Sequence, residues 1–138
     1  MIETFMMDTN TVSHIVRRRS VAARTNLVSL GSSQIACISS ITQGEILYGL
    51  AKSPSAHVLR AAIMDFLSRI LILPWGSREA ESYGTLRAKL EAAGKSLDSL
   101  DMLIAAHAIA ADATLVTSDK AFRFAQNPRG TINWATDI

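Results

Sequence analysis

Short apolar segments alternate with longer amphipathic segments along this chain, and the alternation restricts the folds it can adopt. Strands are predicted at Glu3–Met7, Gln34–Ile38, Ile70–Leu73, Thr114–Thr117 and Thr131–Trp134. Helices are predicted at Thr11–Arg19, Val21–Leu30, Thr42–Leu50, Ala56–Ile70, Ser77–Ala93 and Ser99–Ala111. Strands that alternate with helices form βαβ units, which place parallel strands side by side in one sheet. We therefore predict an α/β fold with a mainly parallel central sheet.

The size and composition of the chain fit a single domain over residues 1–138. The chain has 138 residues, of which 49% are hydrophobic. Its one cysteine, Cys37, cannot form a disulfide within the chain and is predicted to be a core residue. No basic run precedes the first apolar stretch, and polar residues interrupt the uncharged segment 25–44. We expect a domain without a membrane span, in the cytoplasm.

Four acidic residues stand where an apolar segment ends or where a predicted helix begins. Asp8 directly follows the first strand, and Asp119 comes shortly after the fourth. Glu45 and Asp101 lie in the first turns of two helices. Ligand sites in parallel α/β sheets lie beyond the carboxyl ends of the strands. We therefore expect all four side chains to reach the same edge of the sheet.

Carboxylates gathered at one edge need protons or a cation to offset their repulsion. At a separation of about 5 Å and an effective dielectric constant near 20, each pair of carboxylates repels by about 3 kcal/mol. Oxygen ligands without clustered histidine or cysteine favour Mg²⁺ or Mn²⁺ over Zn²⁺. Mg²⁺ keeps water molecules, so a bound water can be activated for attack while a phosphate oxygen is coordinated. This chemistry is metal-assisted hydrolysis of a phosphodiester.

Each acid also has an ordinary structural interpretation. Asp8 suits the N-cap of the first helix, Glu45 an exposed helical position, and Asp119 a turn. Asp98 and Asp101 are spaced as an N-cap and an acid in the first helical turn. We assign Asp98 to the cap and Asp101 to the site, because Asp101 adjoins the apolar run.

Polar neighbours of the acids are candidate supporting residues. The candidate hydrogen-bond donors to the carboxylates are Thr9, Asn10, Thr117 and Ser118. Local turn chemistry explains them about as well. His107 lies six residues after Asp101 and so on another face of the helix. We expect His107 to be a packed, hydrogen-bonded histidine and not a ligand.

The net charge of +2 is modest, but the basic residues are grouped. One group contains Arg17, Arg18, Arg19 and Arg24, and another contains Lys120, Arg123 and Arg129. Solvated helix faces explain such groups, and a rim that binds phosphates is the alternative.

Four segments together resemble a PIN-domain ribonuclease, and more narrowly the VapC toxins of bacterial VapBC toxin–antitoxin pairs. They read MMDTN, ITQGEILYG, LRAKLEAAGKSLDSLDMLIAAHA and TLVTSDKAF, and the resemblance spans Phe5–Trp134. By this resemblance the catalytic acids are Asp8, Glu45, Asp101 and Asp119. The last position varies between Asp and Asn in the family. We predict Asp8 and Asp101 as direct metal ligands, with Glu45 completing the pocket.

The resemblance implies a three-layer α/β/α sandwich and a Mg²⁺- or Mn²⁺-dependent endoribonuclease of a type II toxin–antitoxin system. It also implies a homodimer and a VapB-type antitoxin that blocks the pocket and binds operator DNA. Structured RNA such as transfer RNA is the first candidate substrate. Candidate phosphate contacts are Arg17, Arg18, Arg19, Arg87 and Lys120. The chain departs from the pattern at RFAQNPRG, where Pro128 leaves the geometry of the last strand open.

Two other classes of function remain open from the residues. A non-catalytic module on the same fold would use the acids to bind a basic peptide and the arginines to bind nucleic acid, without cleavage. A phosphatase-type enzyme would use a nucleophilic aspartate and turn over small phosphate esters.

Overall fold

A computed structural model describes residues 1–138, in which strands and helices alternate as predicted. The strands are β1 (Glu3–Met7), β2 (Gln34–Ser39), β3 (Leu71–Leu73), β4 (Thr114–Val116) and β5 (Thr131–Ile132). The helices are α1 (Thr9–Val16), α2 (Val21–Val28), α3 (Ser40–Ala51), α4 (His57–Arg69), α5 (Ser77–Ala92) and α6 (Ser99–Ala110). A short 3-10 helix at Lys120–Ala125 was not predicted. None of the helices has the length and hydrophobicity needed to cross a bilayer.

All five strands form one parallel sheet in the order β3-β2-β1-β4-β5. The chain builds outward from β1 to β3 and then returns to place β4 on the other side of β1. The strand order therefore reverses beside β1. In open parallel sheets the crevice at such a reversal, beyond the carboxyl ends of the strands, is where ligands bind. The ends of β1 and β4 flank this crevice.

Helices cover both faces of the sheet, which gives the expected three-layer α/β/α sandwich. Alternate strand residues point to opposite faces. Phe5 and Met7 of β1 join a core with residues of α1 to α4, whereas Met6 joins a core with α5, α6 and the 3-10 helix. On α6 the small residues Ala106 and Ala108 are completely buried, as the predicted close packing requires.

Two predicted element ends differ from the structure for local reasons. α1 was predicted to end at Arg19 but ends at Val16, because Arg18 has a left-handed backbone with φ of 56°. β5 was predicted to reach Trp134 but contains only two residues. Trp134 instead turns into the core, where its ring lies 5.6 Å from that of Phe5. Pro128 precedes β5 and does not disturb its pairing with β4.

Candidate active site

Asp8 is a buried carboxylate at the carboxyl end of β1, and protein donors hold both of its oxygens. Oδ1 accepts a hydrogen bond from the Thr11 amide at 2.8 Å, which makes Asp8 the N-cap of α1. Oδ2 accepts one from the Thr117 hydroxyl at 2.6 Å. The two interpretations of Asp8 are therefore compatible, since the same side chain caps a helix and lies at the crevice.

Glu45 is half-buried on α3, where a threonine orients its carboxylate. The Thr9 hydroxyl donates to Glu45 Oε1 at 2.6 Å, and the Thr42 hydroxyl lies 3.4 Å from the Thr9 oxygen. Because Thr9 directly follows Asp8, the start of α1 positions the Glu45 side chain. Thr9 thus makes the contact predicted for it.

Asp101 carries a carboxyl group whose pKa is raised by its surroundings. Its side chain is half-buried in the first turn of α6 and accepts no hydrogen bond. Burial, and after it the neighbouring carboxylates of Asp98, Asp8, Asp119 and Glu45, together raise its pKa to about 6. The other three predicted acids therefore lie close enough to Asp101 for each of them to repel its charge. Asp98, which was predicted to act only as a cap, adds a fifth negative charge.

Asp98 and Asp119 are exposed and cap helices at the rim of the site. Asp98 accepts a hydrogen bond from the Leu100 amide at 3.3 Å, as predicted for the N-cap of α6. Asp119 accepts one from the Ala121 amide at 2.9 Å and caps the 3-10 helix. The Asp119 amide also donates to the Thr117 hydroxyl at 3.0 Å. Thr117 therefore joins Asp8 to Asp119.

Other candidate residues have different positions. Asn10 and Ser118 are exposed and hydrogen-bond to no acid, so the structure does not give them the predicted supporting contact. His107 is buried, and its Nδ1 lies 2.8 Å from the Ser39 hydroxyl, as expected for a packed histidine. Burial lowers the pKa of His107 and raises that of Cys37 to about 12, so neither group is charged at neutral pH.

The basic residues predicted to contact phosphates are not all equally available. Arg17 lines a groove of about 120 Å³ that also contacts Thr9 and Glu45. The Arg87 guanidinium is already engaged by Glu91 at 3.0 Å and by the Tyr83 hydroxyl at 2.8 Å. The predicted cations that are exposed and form no ion pair are Arg17, Arg18, Arg19 and Lys120.

The side chains at this edge fit a hard divalent cation in their chemistry. They present carboxylate and hydroxyl oxygens, while His107 and Cys37 are buried elsewhere in the core. No three acidic, histidine or cysteine side chains are grouped closely enough to hold a metal ion in this conformation. Mutual repulsion favours such separation, and Asp101 has no hydrogen bond that holds it away from the other acids.

Comparison with known proteins identifies the class to which this fold and acidic edge belong. The model of the PIN domain family matches residues 5–127. That match includes β1 from Phe5 onward, the whole of β2, β3 and β4, and every acid described above.

Individual relatives narrow the class. Ribonuclease VapC2 of Rickettsia felis is 36% identical over 115 residues, which cover 83% of this chain and 86% of that protein. The tRNA(fMet)-specific endonuclease VapC of Shigella flexneri is 32% identical over the same coverage. The solved structure of VapBC2 from Rickettsia felis bound to a promoter DNA fragment superimposes with a TM-score of 0.85 at 34% identity, covering 95% of this chain and 98% of that chain. The chain therefore belongs to the VapC ribonucleases of the PIN-domain family.

Proposed function

We propose that this protein is the toxin of a type II toxin–antitoxin pair and hydrolyses phosphodiester bonds of RNA with a divalent cation. The observation that carries the proposal is the set of carboxylates from β1, α3, α6 and the 3-10 helix that surrounds the crevice and raises the pKa of Asp101. Membership of the VapC ribonucleases gives this crevice its reaction class. No basic side chain forms an ion pair with these acids, so a cation is the simplest partner.

Asp8 and Asp101 are the residues that would hold the cation, with Glu45 and Asp119 completing the acidic set. Oxygen donors favour Mg²⁺ or Mn²⁺. A cation held there would supply Lewis acidity, which polarises a phosphate oxygen and makes a water molecule more acidic. Asp8 is buried and held at both oxygens, so it is a rigid anchor, whereas Asp101 is free to approach.

Side chains of the site carry out the proton transfer and hold the acids in position. In hydrolysis the water oxygen forms a bond to phosphorus and a carboxylate takes the water proton. One ester P–O bond breaks, and its departing oxygen keeps the bonding electron pair and takes a proton from solvent. Glu45 is suited to accept that proton because Thr9 fixes its orientation and leaves Oε2 free. The hydroxyls of Thr9 and Thr117 position Glu45 and Asp8 by hydrogen bonds.

The relatives suggest the substrate and the partner. We propose structured RNA, with transfer RNA as the first candidate, because the Shigella flexneri relative is named a tRNA(fMet)-specific endonuclease. We propose a VapB-type antitoxin as the partner, because the solved relatives from Rickettsia felis and Salmonella typhimurium are VapBC complexes bound to DNA. Operator DNA would then be contacted through the antitoxin, by an assembly built on a toxin homodimer.

The test is RNA cleavage by the purified chain with Mg²⁺, with Mn²⁺, and with chelator. Asp8→Asn and Asp101→Asn should each abolish cleavage in vitro and growth arrest in cells. Asp65→Asn is the matched control, because Asp65 is exposed on α4 and paired only with Arg69. Cleavage that survives both site variants would contradict the assignment. Metal-independent RNA binding without cleavage would instead support the non-catalytic binding module.

A further inference from the structure

Cations near the end of α5 and on the 3-10 helix form a group that, apart from the predicted phosphate contact Lys120, has no role in the function proposed above. Lys89 on α5, Lys95 just after α5 and Arg123 on the 3-10 helix line one cavity with Phe124, and Lys120 lies three residues before Arg123. We call these residues the basic surface. All four cations are exposed, and none belongs to the three ion pairs of the structure. Their charges are therefore available to an anionic partner.

Two of these cations lie over the same aromatic ring. Lys95 Nζ lies 4.5 Å and the Arg123 guanidinium carbon 5.6 Å from the centroid of the Phe124 ring. Both distances are measured from one point, so the two charges are at most about 10 Å apart. Like charges this close repel, and cation–π contact holds them in place. Phe124 is itself half-buried against the core of α5 and α6, which fixes the ring.

The backbone also fixes Lys95. α5 ends with Gly94 in a left-handed conformation, φ 68°, and the Lys95 amide donates to the Leu90 carbonyl at 2.9 Å. This is a Schellman motif, which sets the direction of the chain leaving a helix. On the 3-10 helix, Lys120 and Arg123 are three residues apart and so share one face. The cations are thus preorganised, and a cavity of about 320 Å³ opens between Lys89, Lys95 and Arg123.

The segments that carry the basic surface also carry acids of the site. The loop from Lys95 leads through Asp98 into the first turn of α6, where Asp101 lies. The 3-10 helix that carries Arg123 begins at its cap, Asp119. A polyanion that reaches the acidic crevice is repelled there until cations are present. An adjacent set of fixed, unpaired cations offsets that repulsion for the flanking part of the strand.

We propose that the basic surface binds the phosphate backbone of the RNA substrate beside the bond that is cut, and this inference rests on the proposed ribonuclease function. The guanidinium of Arg123 matches a phosphate by paired hydrogen bonds, and the lysines act as point charges. An acidic protein segment is the other possible occupant. RNA is favoured because the surface shares its two segments with Asp101 and Asp119, against which the substrate itself must lie.

The decisive variant is the double substitution Lys95→Gln/Arg123→Gln in the full chain. Binding of a folded transfer RNA is measured in chelator, where no cleavage occurs, over a series of salt concentrations. The dissociation constant should rise about tenfold or more, and the slope of log affinity against log salt should decrease by about two. With metal present, KM for the transfer RNA should rise. Cleavage of a short oligonucleotide that cannot reach the surface should be unchanged.

The matched control is Lys52→Gln/Arg60→Gln. Lys52 stacks over the Tyr48 ring at 5.0 Å, but at the end of α3 remote from the crevice, and Arg60 is exposed on α4. An equal loss of RNA affinity in this control, or no loss of RNA affinity in the Lys95/Arg123 variant, overturns the proposal. The proposal also fails if the Lys95/Arg123 variant weakens antitoxin binding and leaves RNA binding unchanged. Each of these outcomes counts against the basic surface only, provided that the wild type cuts RNA. If the wild type neither binds nor cuts RNA, the ribonuclease proposal fails as well. Thermal melting verifies that each variant is folded.

Discussion

Thr117 is a single hydroxyl on which two acids of the site depend. It donates to Asp8 Oδ2 at 2.6 Å and accepts from the Asp119 amide at 3.0 Å. Thr117→Val leaves a buried carboxylate oxygen without its donor, which we expect to lower the free energy of unfolding by about 1–3 kcal/mol and to reduce RNA cleavage. Urea unfolding and cleavage rates test this. Thr117→Ser keeps the hydroxyl and should keep most of the stability and most of the RNA cleavage. Equal losses of stability and cleavage in Thr117→Val and Thr117→Ser would contradict a role for the hydroxyl.

Asp101 makes the metal-free protein sensitive to pH. Burial and the neighbouring acids raise its pKa from 3.8 to about 6, so the folded state binds a proton more tightly than the unfolded chain. Stability in chelator should therefore decrease as pH rises from about 4 to about 6 and then level off. Asp101→Asn removes this pH dependence and should melt at a higher temperature than wild type at pH 7, although we expect it to lose cleavage activity. Melting profiles of the two proteins that run parallel over this range would refute the expectation.

Among whole elements, α2 depends on the far end of the chain for its first turn. The Ser20 hydroxyl accepts from the Ala23 amide at 3.0 Å, and Asp137 accepts from the amides of Val21 and Ala22 at 3.0 and 3.2 Å. Ser20 also donates to Asp137 at 2.5 Å, and this contact lowers the Asp137 pKa most. Two side chains separated by almost the whole sequence therefore cap one helix.

Loss of this cap should loosen α2 selectively. Ser20→Ala should cost about 1 kcal/mol. Because the Asp137 pKa is lowered, its contribution is complete above the ordinary value of 3.8 and is lost as pH falls through the lowered one. Hydrogen exchange at Val21 to Ala23 should become faster in Ser20→Ala and in Asp137→Asn. Unchanged exchange in Asp137→Asn would show that the carboxylate does not secure the helix.

Helix α6 packs closely enough that an added side chain should disturb the site. Ala106 of α6 is completely buried in the core that α6 shares with α5 and the 3-10 helix. Ala106→Leu should lower the free energy of unfolding by about 1–3 kcal/mol through overpacking, and it should reduce cleavage because Asp101 lies on the same helix. Chemical denaturation measures the first effect. Ala61→Leu on the exposed side of α4 is the control and should change stability by less than about 0.5 kcal/mol.

In the whole molecule, the two predicted metal ligands come from opposite layers of the sandwich. Asp8 caps α1 on one face of the sheet, and Asp101 lies on α6 on the other. A cation bound by both would link the layers, and at a concentration 100 times its dissociation constant it would stabilise the fold by about 2.7 kcal/mol. Mn²⁺ should therefore raise the melting temperature of wild type but not that of Asp8→Asn/Asp101→Asn. An equal rise in both proteins would place the metal elsewhere.

The local order of the chain could be predicted because it depends on neighbouring residues. Apolar runs, helical spacing and caps such as Asp98 act within a few positions, so the alternation of strands and helices and the acids at their ends were visible in the sequence. The resemblance to PIN-domain ribonucleases then gave those acids their expected catalytic roles. The 3-10 helix at Lys120–Ala125 was missed, because a single short turn has no periodicity to detect.

Contacts between distant residues could not be predicted in this way. The strand order brings Thr117 to Asp8 across 109 positions. It also sets Lys95 and Arg123 over one ring, although the sequence pattern assigned Lys95 no role and grouped Arg123 only with Lys120 and Arg129. Such contacts depend on how layers pack on the sheet, and no local pattern encodes that packing. Residue types and their local order therefore indicated the chemistry, and the long-range folding of the chain assembled the site.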